Sequence, residues 1–108
     1  MEPIAIGQVV KSKAGRDKGR YFVVLAQDGL DYVRIADGVL RHVDAPKRKK
    51  VKHLALEPDC ITALADKIAS GVRIFDAELC NVLESLHYTV RRPVSESTNV
   101  DTLEISNK

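Results

Sequence analysis

The sequence predicts a mainly β fold: a small five-stranded barrel followed by two helices. Three observations predict it. Short runs of β-branched and aromatic residues recur up to Leu56, two Asp-Gly pairs punctuate them, and apolar spacing turns helical after Pro58. The expected strands are 8–12, 21–26, 32–35, 39–43 and 51–54. Tyr21-Phe22-Val23-Val24-Leu25-Ala26 is apolar throughout, the pattern of a strand buried on both faces. Asp28-Gly29 and Asp37-Gly38 suit tight hairpin turns, which predicts a meander of three antiparallel strands across them. Five short strands in so little chain fit a strongly bent barrel better than an open sheet.

Ile61, Leu64, Ala65, Ile68 and Ala69 recur at helical spacing, with Asp59 as expected N-cap and Gly71 as the stop. A second helix opens at Asp76, its expected N-cap, and carries the apolar stripe Leu79, Val82, Leu83 and Leu86. Glu78 sits well in its first turn. Helices this short need tertiary packing, so their stripes should close the barrel or pack together. The expected organisation is a barrel over 1–56, a helical extension over 57–90, and a partly disordered tail over 91–108. Within the tail, Val100, Leu103 and Ile105 offer at most an edge strand.

Charge is unevenly distributed in a chain of 108 residues with net charge +2. Residues 1–56 carry twelve Lys and Arg against six Asp and Glu, and residues 57–108 carry five against nine. Such a division suggests that one face meets a polyanion, while the acidic half offers itself to a protein partner. No apolar run approaches the length of a membrane span. The opening Met1-Glu2-Pro3 lacks the order of a secretory signal, so a cytoplasmic location is expected.

The two cysteines, Cys60 and Cys80, form no C-x-x-C pair, and both fall where helices are expected, as small buried residues. His42, His53 and His87 share no ligand spacing with each other or with the cysteines, so no metal, cofactor or catalytic site is expected. Asp28, Asp31 and Asp37 are close in sequence, but glycine beside them makes turn formation the simpler account.

The informative segment is Gly15-Arg16-Asp17-Lys18-Gly19-Arg20, lying between strands 8–12 and 21–26. Two glycines allow a sharp turn and close approach of the backbone to another molecule. Lys11, Lys13, Arg16, Lys18 and Arg20 surround them. An ordinary hairpin loop with solvated charges is the alternative reading. The segment resembles the KOW motif, matching its core of glycine, basic, aspartate, lysine, glycine and basic at every position. The resemblance extends over residues 5–56, through Tyr32-Val33-Arg34-Ile35-Ala36-Asp37-Gly38 and the run Pro46-Lys47-Arg48-Lys49-Lys50. Over that span the chain looks like the short bacterial relatives of archaeal and eukaryotic large-subunit ribosomal proteins.

That resemblance implies an SH3-like barrel that binds structured ribosomal RNA, with a role in translation and no catalysis. It implies phosphate contacts from Arg16, Lys18 and Arg20 on a loop shaped by Gly15 and Gly19, with Lys11 and Lys13 beside them. It also implies a second basic rim of Lys47, Arg48, Lys49, Lys50, Lys52 and His53, bridged to the first by Arg41. A solubilising loop is the other reading of the Lys47–Lys50 run. Phe22 reads as core, and Tyr32 as either core or stacking surface. SH3-like barrels also bind proteins, so a protein-interaction module is the rival function.

Overall fold

A computed structural model describes residues 4–88. The expected tail over 91–108, the last residues of the helical extension and the Val100–Ile105 edge strand lie outside the described residues. The elements are β1 (Gln8–Ser12), β2 (Tyr21–Gln27), β3 (Tyr32–Ala36), β4 (Lys47–Lys50), a 3-10 turn (Val51–His53), β5 (Leu54–Cys60), α1 (Thr62–Ala69) and α2 (Asp76–Ser85). The strands form one five-stranded antiparallel sheet in the order β4-β3-β2-β1-β5. β4 and β5 are its two edges, so the hydrogen-bonded ladder is not closed.

β2 is buried on both sides, as its unbroken apolar run predicts. On one side Val9, Val23, Leu25 and Ala36 meet Leu64 of α1 and Leu79 and Leu83 of α2. Both helical stripes are therefore spent on the sheet. On the other side Val10, Phe22, Val24, Val33, Ile35 and Leu54 form a second cluster, joined by Ile4 and Val51. Neither α1 nor α2 contributes to this cluster, yet Val10, Phe22, Val24 and Ile35 are wholly buried. A flat sheet would leave such a face wet, so the strands must curl around it. Bulges between Gln8 and Val10, and between Val24 and Ala26, supply local bending and twist. Each of these large side chains adds roughly 1.5–3 kcal/mol by leaving water.

Several local expectations are corrected. Residues 39–43 form no strand. The buried Asp37 carboxylate accepts hydrogen bonds from the amides of Val39, Leu40 and Arg41, each at 2.9 Å, and winds the chain into a turn. That local side-chain capture competes with a ladder and wins. The third strand of the meander is instead the basic run Lys47–Lys50, paired with β3 from Ile35↔Lys47 to Tyr32↔Lys50. Lysine is a poor strand former, but β4 is an edge, where charge discourages pairing with another chain. The strand expected over 51–54 is instead the 3-10 turn Val51–His53, and β5 runs from Leu54 to Cys60.

The others concern capping and cysteine. Asp59 lies in β5 and accepts from the Tyr88 hydroxyl at 2.6 Å, so it does not cap α1. Phe75 is the N-cap of α2, and Asp76 is its first helical residue. The Asp76 carboxylate accepts from the Val43 amide at 2.7 Å, which ties the 38–43 turn to α2. Gly38 permits this approach, since a methyl group there would lie 2.2 Å from the Asp76 carbonyl oxygen. Cys80 is buried in α2, but Cys60 ends β5 and is exposed. The expected stop of α1 is present: Gly71 has φ +75°, and the amides of Gly71 and Val72 close onto the Ile68 and Lys67 carbonyls.

Candidate nucleic-acid interface

The Ser12–Arg20 loop is held by its own backbone. The Gly19 amide donates to the Ser12 carbonyl at 2.8 Å, Lys18 to Gly15 at 3.2 Å and Arg20 to Asp17 at 3.0 Å. Gly15 and Gly19 take φ of +81° and +88°, the left-handed region that makes these bonds reachable. The Lys13 amide donates to the His53 carbonyl at 2.8 Å, anchoring the loop to the 3-10 turn.

Two of the expected RNA contacts hold the loop from inside. Arg41 places its guanidinium on the buried Asp17 carboxylate, 2.9–3.0 Å away. Arg41 is itself fixed by the Asp37 turn, so aspartate 37 positions arginine 41, which in turn holds aspartate 17. Lys49 is 8% exposed and donates to the Ala14 carbonyl at 2.9 Å. A methyl group on Gly15 would crowd that same Lys49 Nζ at 3.3 Å. Lys49 and Arg41 are therefore structural cations here.

Strand alternation divides the rest of the basic run. Lys47 and Lys49 pair with Ile35 and Val33 and share their face, while Arg48 and Lys50 share the face of Arg34 and Tyr32. Arg34 and Arg48 both donate from Nε to Asp28 Oδ2 at 2.9 Å. The Arg48 guanidinium also lies 3.7 Å from the Tyr32 ring centroid. Sequence reasoning missed Arg34 and Asp28, whose spacing to β4 only the pairing register reveals.

Lys13, Arg16 and Lys18 are exposed and enter no ion pair with any described residue. Lys52 is exposed in the same way and, with the half-buried His53, borders the loop through the Lys13–His53 bond. Arg20 is half-buried at the foot of the loop, and Lys11 places its ammonium 5.6 Å from the Tyr21 ring centroid. The structure thus keeps Lys13, Arg16 and Lys18 on the loop, with Lys52 and His53 beside Lys13. It sends Arg48 and Lys50 to the outer face of β3 and β4.

Elsewhere, Glu78 accepts from Lys67, and that bond holds its carboxyl below the usual carboxylate range. Burial, with the Asp59 hydrogen bond second, pushes the Tyr88 hydroxyl up to about 12. Among the described residues no group of three His, Cys, Asp or Glu side chains is placed to hold a metal ion. No described helix is long and apolar enough to cross a membrane. No protein-family model matches the chain, and no curated protein matches it.

Proposed function

We propose that this chain binds structured RNA, most simply ribosomal RNA, through the Ser12–Arg20 loop, and acts in translation as a cytoplasmic, non-catalytic protein. One observation carries the reading: a loop whose backbone is fixed from within while Lys13, Arg16 and Lys18 project from it with no ion pair among the described residues. A rigid loop loses little conformational freedom on binding, so its cations meet phosphates at low entropic cost. Phosphate contacts of this kind give most of the affinity for a polyanion and read shape rather than sequence. The KOW-like hexapeptide supports the same reading. So does the curled sheet, which we interpret as an open SH3-like barrel with β4 and β5 at the gap.

Crosslinking in cells with ultraviolet light, followed by sequencing of the bound RNA, tests it. Discrete large-subunit ribosomal RNA sites that vanish in a Lys13/Arg16/Lys18→Gln variant are expected. Sparse crosslinks indifferent to those changes would overturn the assignment.

A protein-docking role has one observation in its favour. Val72 and Phe75 stand more than half exposed on the segment between α1 and α2. A pull-down that survives nuclease treatment and fails with Phe75→Ser would support that role.

A further inference from the structure

The outer end of β3 and β4 carries a groove of about 670 Å³ that the loop does not use. Leu30, Tyr32 and Val51 give it apolar walls, and Lys50 and Lys52 stand at its sides. Leu30 is 100% exposed at the tip of the β2–β3 hairpin, so its burial gain is still available to a ligand. Tyr32 is already half of a stack. The Arg48 guanidinium lies over its ring at 3.7 Å and is locked there by Asp28, while Lys50 Nζ is 5.8 Å from the same centroid. An aromatic ring held by a fixed guanidinium is a preorganised stacking surface, because neither group must be ordered on binding.

We propose that this groove takes one unstacked nucleotide of the bound RNA, an inference that rests on the RNA-binding reading above. The base lies against Leu30, Tyr32 and Val51, and its phosphate meets Lys50 and Lys52. Charge decides the occupant: two lysines line the groove against one carboxylate, that of Asp31. Gln27 and Asp31 supply the polar groups that meet base edges there. The groove adjoins the loop, sharing Lys52 with its border, and adds a stacking contact to a surface that otherwise binds through phosphates alone. RNA-binding surfaces of this second kind select unpaired nucleotides, such as bulges, over continuous duplex.

Amide chemical shifts recorded while titrating AMP, UMP and ribose 5-phosphate test the proposal. Saturable shifts at Leu30, Tyr32 and Val51 with both nucleotides, and none with ribose 5-phosphate, are expected. Leu30→Ser and Tyr32→Leu should each weaken nucleotide binding by about fivefold or more. Leu30 is fully exposed, so its replacement leaves the fold intact and keeps the test decisive. Lys13/Arg16/Lys18→Gln should leave nucleotide binding unchanged. Absence of saturable shifts, or equal shifts with ribose 5-phosphate, overturns the groove even where the loop variant still loses RNA. Nucleotide binding that survives while long RNA ignores the loop variant would instead sink the loop reading and leave the groove standing.

Discussion

Two basic segments of this chain look alike in sequence and do different work. In the Ser12–Arg20 loop, Lys13, Arg16 and Lys18 face solvent with no ion-pair partner among the described residues, because the backbone closes the turn without their help. In β4, Lys49 is buried on the Ala14 carbonyl, Arg48 is fixed between Asp28 and Tyr32, and Lys50 sits near the same ring. A strand sends successive side chains to opposite faces, so a continuous basic run cannot be a continuous basic surface. A glycine-bounded loop has no such constraint. Counting cations therefore overstates β4 as a binding rim and understates it as the support of the loop.

Three substitutions probe that division. Asp37→Ala should have the largest effect, costing about 3 kcal/mol in chemical denaturation, since it releases three amide hydrogen bonds at a buried carboxylate. It also frees Arg41, so the loop should lose amide exchange protection together with global stability. Equal stability of this variant and the parent would mean that the turn does not support the loop. Lys49→Met keeps the side-chain volume but removes one of the two hydrogen bonds to the Ala14 carbonyl, the other coming from the Ser12 hydroxyl at 3.0 Å, and should cost about 1 kcal/mol. Lys18→Gln, at an exposed site with no ion-pair partner among the described residues, should change stability by less than about 0.5 kcal/mol. If Lys18 and Lys49 behaved alike in denaturation, the contrast between loop and strand would fail.

Tyr88 supplies a control outside both basic segments, with its ring packed 4.9 Å from that of Tyr21 at the start of β2. Its hydroxyl ionises near 12 in the folded chain against an ordinary value of 10.0. A raised value means that the folded state holds the proton more tightly. The associated stability is complete below pH 10 and is lost as pH rises toward 12. Tyr88→Phe should remove this alkaline loss from the stability profile and leave RNA affinity at neutral pH untouched. A profile unchanged by the substitution would assign the alkaline loss to other groups.

Much of the sheet was legible because its signals are local. β1, β2 and β3 follow from β-branched runs and glycine turns, and both helices from apolar stripes that do pack on the sheet. The 39–43 error has a definite cause: Val39, Leu40 and Val43 look like a strand, but one buried aspartate takes the three amides that a ladder needs. The Lys47–Lys50 strand was hidden for the opposite reason. Its composition argues against a strand, and only the register with β3 makes those residues useful on an edge. The loop cations were readable from the hexapeptide. The fates of Arg41 and Lys49 were not, because they depend on contacts 24 and 35 residues away in sequence.

The most direct test of the central claim is the salt dependence of binding to large-subunit ribosomal RNA, measured for the parent chain, the Lys13/Arg16/Lys18→Gln variant and Arg48→Gln. The loop variant should stay folded, bind more weakly, and lower the log–log salt slope by about three, one for each phosphate contact removed. Arg48→Gln should leave the slope within about one of the parent. A folded loop variant with the parent's slope and affinity would contradict the account, and would remove the loop from the RNA-binding surface.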